Sequence, residues 1–473
     1  MAEADELIAR SRLPVSADRA FAWHERAGAF ERLTPPWERM RVRERRGTIH
    51  DGDYVVLELR VGPISRRWVS VHSDYREGRS FVDEQVIGPF AFFRHQHLFD
   101  PAGDGCRMED RIEYRLPFGL LGRAVGGAFA RKRLARIFGY RHAVVAADLR
   151  RHEEARPLKV AVSGASGLIG RQLCAFLSTG GAEVRRLSRR WPAESPDDIF
   201  WDPARGAIAA ERLEGLDAVV HLAGENLAEG RWTRERKQRI RDSRIDGTRL
   251  IAETLARLER PPAVLVSASA VGIYGARGEL LVDEDDAPGA GFLAEVCRAW
   301  EAAAEPARRA GIRVVHPRFG VVLSPAGGAL ARMLTPFSLG LGGPIGGGRQ
   351  GMSWVALDDA LYACARAITD ERLRGPVNVV APQPVTQREF AATLGAVLGR
   401  PAVLPLPAPV VRLLFGELGE RALLEGALVK PRRLEEVGFR FELPTLASAL
   451  RHLLGRSGAR RFTLAGHTAE LLP

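Results

Sequence analysis

Lysine is nearly absent from this chain. Of 69 basic residues in 473, only Lys132, Lys159, Lys237 and Lys430 are lysine, so arginine carries the formal net charge of +11. That excess is not clustered, because residues 1–156 hold 28 basic and 23 acidic side chains and the remainder has a similar surplus. Nucleic-acid binding needs a concentrated basic stripe, so that class of partner is excluded. Cysteine is scarce too. Cys106, Cys174, Cys297 and Cys364 show neither C-x-x-C nor Cys/His spacing, which points away from a disulfide framework and from a zinc site. The first twelve residues include Glu3, Asp5 and Glu6 and lack an apolar core, and no uncharged run approaches the length of a membrane span. These absences predict a cytoplasmic protein with no membrane insertion. At 46% apolar and 27% charged residues, the chain has the composition of two or three folded domains.

What is present is more specific. Residues 159–170 read as a strand running into glycines at Gly164, Gly167 and Gly170, followed by a helix over Arg171 to Leu177. Such a turn aims backbone N–H groups and a helix N-terminus at a pyrophosphate and puts Gly where a Cβ would block the approach. Gly164, Ser166, Gly167, Leu168, Ile169 and Gly170 are therefore expected to hold a dinucleotide. The strand over Glu183 to Leu187 ends in Ser188-Arg189-Arg190, where an NAD enzyme carries an acid for the ribose hydroxyl. Arg189 and Arg190 suit a 2′-phosphate, so NADP (NADPH) is the expected cofactor. From Leu158 onward strands alternate with helices, the order of a doubly wound parallel Rossmann-type sheet of the α/β class.

The first 150 residues have another texture: an opening strand over Leu7 to Leu13, a helix capped by Ser16-Ala-Asp18, alternating runs at Val55–Val61, Trp68–Val71 and Arg94–Phe99, then an Arg-rich helix from about Gly122 to Arg150. This element order resembles the α+β START-like helix-grip fold of polyketide cyclase/dehydratase and lipid-transfer proteins. The resemblance implies an apolar pocket under the long helix and a hydrophobic ligand, with Phe81, Phe90, Phe92, Phe93, Tyr114 and Phe118 as lining candidates. His95 and His97 share a strand face; with no third ligand in view they read as ordinary strand histidines, and no metal is expected. The charged segment His152 to Pro157 marks the boundary, giving 1–152, a dinucleotide domain at 158–400, a small C-terminal domain at 401–455 and a tail at 456–473.

The second half resembles the extended short-chain dehydrogenase/reductases and, within them, the NAD-dependent epimerase/dehydratase family. The segments that carry the likeness are Asp217 to Gly224, Ser243-Arg244-Ile-Asp-Gly247-Thr248, Ser267 to Gly275, Ser353-Trp354-Val355 with Asp358-Asp359, and Gly375-Pro-Val-Asn378. Past residue 400, Pro405 to Pro409 and Leu424 to Pro431 are similar to a C-terminal domain of unknown function found in one subfamily. The resemblance implies that Leu222 and Ala223 pass beside the cofactor, that Arg244 faces the nucleotide, and that Ser269 and Tyr274 are the catalytic pair facing a substrate.

One part of the family pattern is missing. Short-chain dehydrogenases use a Tyr-x-x-x-Lys pair, and if Glu301 keeps the family register, Leu293 and Cys297 stand at those positions. No slip of the register restores the pair, because no lysine lies between Lys237 and Lys430. Two readings remain open. The chain is an atypical NADP-dependent oxidoreductase or epimerase-like enzyme for a small carbonyl or alcohol, with Ser269 orienting the substrate and Tyr274, Glu295, Arg298 or water supplying the proton. Alternatively it is a non-catalytic NADP-binding sensor or scaffold coupled to the ligand-binding N-terminal half. The glycine-rich loop Gly340 to Gly351 is placed on the substrate side.

Overall fold

The computed structural model describes residues 4–61, 64–152, 157–190, 195, 197–457, 462–465 and 468–471. It divides into two units, one of residues 1–156, 178–181 and 451–473 and one of residues 157–177 and 182–450. No helix among the described residues is long and apolar enough to cross a membrane.

The first unit begins with β1 (Asp5–Leu13), α1 (Ala17–Glu25) and α2 (Ala29–Leu33). The Ser16 side chain caps α1 by accepting from Arg19 N at 3.4 Å. Six strands follow, β2 (Met40–Arg46), β3 (Tyr54–Val61), β4 (Ile64–Arg76), β5 (Ser80–Ile87), β6 (Phe92–Ala102) and β7 (Gly105–Arg115), and then the 34-residue helix α3 (Gly119–His152). The sheet runs β2-β3-β4-β5-β6-β7-β1, antiparallel throughout, and two short strands, Thr468–Leu471 and Phe462–Ala465, extend it beyond β1. Those strands fall where a tail is expected. Alternation decides which face is buried: along β6, Phe93, His95, His97 and Phe99 are buried while Arg94, Gln96 and Leu98 are half-exposed. The long helix covers that face with a ladder of Ala130, Leu134, Phe138, Val145 and Leu149, spaced at helical intervals. Arg32 on α2 is paired with Asp148 on α3 through two bonds of 2.9 and 2.7 Å, both residues fully buried.

Between sheet and helix lies a cavity of about 420 Å³. Of the expected lining residues, Phe81, Phe90 and Phe93 do line it. Phe92, Tyr114 and Phe118 do not. Phe92 points to the other face of the strand, where the Arg115 guanidinium lies 5.1 Å from its ring. Tyr114 is packed into the core beside Ile112 and Phe138, and Phe118, at the entry to α3, is exposed.

In the second unit β8 (Lys159–Ser163), α4 (Leu168–Thr179), β9 (Glu183–Ser188), β10 (Ile199–Asp202), β11 (Ala207–Ile208), β12 (Ala218–His221), α5 (Arg234–Leu255), β13 (Val264–Ser267), β14 (Ser269–Ala270), β15 (Leu281–Val282), α6 (Phe292–Ala302) and β16 (Arg313–Phe319) succeed one another. The sheet order is β11-β10-β9-β8-β12-β13-β16, with Gly375–Val379 and β14 also on β16, and every pair but β10 with β11 is parallel. Helices cover both faces, so the central strands are apolar without alternation; Val160, Ala161, Val162, Val219, Val220, Leu265 and Val266 are all fully buried. Strand order reverses between β8 and β12. In a doubly wound sheet the crevice at the carboxyl ends of those two strands is the ligand position. β15 leaves the sheet and pairs with Leu428–Val429, which ties part of the 401–455 segment into this unit.

Candidate functional site

The glycines of the first turn are required by close packing. Gly164 has φ +70°, and a Cβ there would stand 2.9 Å from both the Leu222 carbonyl carbon and Ala223 N. A Cβ on Gly170 would stand 2.2 Å from Gly164 O. Gly167 N donates to Gly164 O at 2.9 Å and closes the turn. Ser166 and Gly167 are exposed, and α4 starts at Leu168, so the first N–H groups of the helix, at Leu168, Ile169 and Gly170, face out of the turn without helical acceptors. The end of β12 is held alongside by Ser163 Oγ, which accepts from Leu222 N at 3.2 Å and Ala223 N at 3.4 Å and lies 2.6 Å from His221 Nδ1. Burial, assisted by the nearby Arg244 charge, pushes the His221 imidazole down to about 4 and keeps it neutral.

Arg189 and Arg190 lie exposed just past the carboxyl end of β9, next to β8. Their neighbour Arg186 is already committed to Asp198 by bonds of 2.7 and 3.0 Å. Arg244, on α5, is buried with Nη1 donating to Ile240 O at 2.9 Å and its guanidinium 5.1 Å from the Trp300 ring. Gly224 leaves it room, since a Cβ there would reach Arg244 Cζ at 3.4 Å. Arg244 thus links the turn after β12 to a cavity of about 300 Å³, whose wall it shares.

Helix α6 supplies one side of that cavity. Phe292, Leu293, Val296, Cys297 and Trp300 face it at helical spacing, whereas Glu295 and Arg298 are on the exposed face and do not line it. The two positions where the family dyad is expected therefore present an isobutyl group and a thiol, and burial pushes that thiol up to about 11. Ile345, Gln350 and Gly351 from the glycine-rich loop form part of the opposite wall.

Ser269 and Tyr274, expected to face a substrate, are turned into the core and do not line the cavity. They join one polar network. Ser269 Oγ donates to Glu301 Oε1 at 2.7 Å; Glu301 accepts from Arg318 Nε at 2.8 Å and Nη2 at 3.0 Å. Arg318 Nη1 donates to Tyr274 OH at 2.9 Å, which donates to Asn378 Oδ1 at 2.8 Å. Burial raises the Glu301 carboxyl, but the Arg318 guanidinium overrides it and holds the group below its ordinary range. Burial likewise raises the Tyr274 phenol, only partly opposed by Arg318. At neutral pH the network holds an ion pair and a neutral phenol. Its hub, Arg318, escapes pattern reading, although a charged residue inside the apolar run Val314 to Phe319 is the signal that finds it.

Comparison with known proteins agrees with this geometry. The model of the NAD dependent epimerase/dehydratase family matches residues 160–380, a domain of unknown function matches 406–453, and the model described as polyketide cyclase / dehydrase and lipid transport matches 13–138. An epimerase family protein of Mycobacterium bovis is 45% identical over 299 residues, 63% of this chain and 98% of that protein. The crystal structure of a nucleoside-diphosphate sugar epimerase from Corynebacterium glutamicum, 33% identical, superposes over 95% of this chain and 90% of its own with a TM-score of 0.79. A crystal structure of the human epimerase family protein SDR39U1 with NADPH is 36% identical and covers 63% of this chain and 99% of its own at a TM-score of 0.57. With relatives of this identity covered almost end to end, and with the glycine turn and strand order in place, the chain belongs to the NAD dependent epimerase/dehydratase family.

Proposed function

We propose that the second unit binds NADP(H) in the glycine turn and acts as an oxidoreductase or epimerase-like enzyme on a small carbonyl or alcohol compound. The observation that carries this reading is Arg244, which lies where a side chain on Gly224 would meet it on the cradle side and lines the cavity on the other. The cradle fits a dinucleotide because Gly164 and Gly170 let the turn pack against backbone that a Cβ would meet at 2.9 and 2.2 Å, which leaves the N-terminus of α4 at the mouth of the turn. Leu168 and Ile169 amides would hold the pyrophosphate, Leu222 and Ala223 would flank the ribose, and Arg189 and Arg190 would pair with a 2′-phosphate. NADPH on the human relative supports that choice. When bound, the nicotinamide supplies or takes up hydride.

The chain's own task is to orient the substrate and handle a proton. Leu293 and Cys297 offer no acid–base pair, so the proton would come from water or from Glu425, a carboxyl group on the cavity wall. Ser269 and Tyr274 act as positioning residues, fixing the strand ends from which Ala270 to Gly272 reach the cavity wall. The same apolar wall favours a second reading, an NADP(H)-binding sensor without turnover. Quenching of NADPH fluorescence by the full chain, followed by a screen of small carbonyl compounds for NADPH consumption, separates the two: tight binding with no consumption selects the sensor, and no binding removes both. The N-terminal cavity, lined by Trp68, Phe90 and Phe93, would take an apolar ligand.

A further inference from the structure

The N-terminal cavity has a polar end that the proposed reaction does not use. Sheet register places Asp83 on β5 directly opposite His95 on β6, with His97 two residues along on the same face. One ligand atom from each of these three residues lies within 4.8 Å of the others. Asp83 Oδ2 is 3.5 Å from His95 Nδ1 and 3.3 Å from His97 Nε2. A tetrahedral ion bonded at about 2.0–2.1 Å separates its ligands by about 3.3–3.4 Å, close to the spacing of both Asp–His pairs.

The surrounding groups are those that orient metal ligands. His95 Nε2 approaches Asp110 Oδ1 at 3.1 Å and His97 Nδ1 approaches the same oxygen at 2.7 Å, while His142 Nε2 takes the other oxygen of Asp110 at 2.9 Å. His72 Nδ1 stands 2.7 Å from the second oxygen of Asp83. The far nitrogen of each candidate imidazole thus faces a carboxylate, the arrangement that fixes tautomer and aim around a metal. Without a cation the cluster is poorly satisfied. His95 and His97 lie between the same two carboxylates with ring centroids 3.9 Å apart, so both rings can donate from all four nitrogens only as two adjacent imidazolium ions. His97 Nδ1, on the side away from Asp83, lies close to Asp110 without hydrogen-bond geometry, so the orienting contact of His97 is an electrostatic one. Phe81 stacks on His97 at 4.1 Å and Phe138 meets His95 edge-on at 4.8 Å, which holds both rings in place.

We propose that Asp83, His95 and His97 bind a divalent first-row transition ion, Zn²⁺ or Fe²⁺, with the remaining coordination positions open to the apolar cavity. Two imidazoles and one carboxylate are a donor set suited to either ion. All three residues line the cavity, so water or an oxygen of an apolar ligand would complete the coordination shell. The N-terminal unit then resembles a metal-activated pocket more than a passive container.

The test uses the full chain stripped with a chelator and titrated calorimetrically with Zn²⁺ and, for the visible d–d spectrum, Co²⁺. One ion per chain is expected. His97→Gln should weaken binding at least 100-fold, and Asp110→Asn, which removes only the orienting carboxylate, by about 10–100-fold. Far-UV circular dichroism of each variant checks that the sheet is intact. Should the variants fail to fold, X-ray absorption of the Zn²⁺-loaded wild type decides the matter, with two imidazoles and no sulfur expected. Absence of saturable one-to-one binding, a sulfur ligand, or unchanged affinity in a folded His97→Gln chain would overturn the proposal.

Discussion

Substituting Gly164 by alanine separates backbone strain from steric conflict, provided it is measured beside Gly206→Ala. Both glycines are left-handed, with φ of +70° and +62°. At Gly206 an added Cβ meets nothing within 4 Å, whereas at Gly164 it meets the Leu222 and Ala223 backbone at 2.9 Å. The left-handed conformation costs alanine about 1–2 kcal/mol. Loss of unfolded-state freedom offsets ~0.4–1 kcal/mol of that at either site. Gly206→Ala should therefore cost roughly 0–1.5 kcal/mol. Gly164→Ala carries an additional ~1–3 kcal/mol, because backbone atoms just past β12 must shift to admit the methyl group. The shift also displaces the amides expected to hold the pyrophosphate. A charge-assisted hydrogen bond is worth about 1.5–3 kcal/mol, so NADPH affinity should fall roughly 10- to 150-fold in Gly164→Ala and stay unchanged in Gly206→Ala. Thermal unfolding of the full chain, following the transition that NADPH raises, gives the stability changes, and fluorescence titration gives the affinities. Wild-type NADPH affinity in Gly164→Ala would refute the assignment of this turn as the cradle.

Arg189→Ala combined with Arg190→Ala should weaken NADPH by about 1.5–3 kcal/mol for each guanidinium that pairs with the phosphate and leave NADH untouched; equal weakening of both cofactors would show that the arginines do not read a 2′-phosphate. Tyr274→Phe and Ser269→Ala should each destabilise the second unit by about 0.5–3 kcal/mol without altering NADPH affinity, and a complete loss of turnover in either would return that hydroxyl to the reacting atoms. Glu301→Gln leaves Arg318 as an uncompensated buried charge and should cost about 3–5 kcal/mol. Because the Glu301 carboxyl is held below its ordinary value of 4.5, its stabilisation is complete above that pH and disappears as the pH falls through the lower folded value. The variant should lack that part of the acid dependence in a pH series of unfolding midpoints.

The elements that short-range physics controls are legible in the chain itself. The strand, glycine turn and helix over 159–179, the Ser16 cap and the alternation of Phe93, His95, His97 and Phe99 follow from local sterics and side-chain period. The lysine-free stretch is legible as well, since a chain without lysine between 237 and 430 has no Tyr-x-x-x-Lys in that region. Pattern alone does not show that Ser269 and Tyr274 turn away from the cavity, because a motif carries residue identity but not which way the side chain turns. That direction is settled by Glu301, Arg318 and Asn378, which lie 32, 44 and 104 residues away from their partners in the network.

By itself, then, the sequence determined a parallel dinucleotide-binding sheet, an antiparallel sheet closed by a long helix, and a stretch from 238 to 429 without lysine. Each depends on neighbours within a few residues or on composition. Tertiary structure decided the rest. Asp83 stands opposite His95 only because β5 and β6 pair in that register, and one residue of slip would send every side chain of the strand to the other face. The two cavities likewise exist only where helices close over sheets, and their walls collect residues from segments with no local relation to one another.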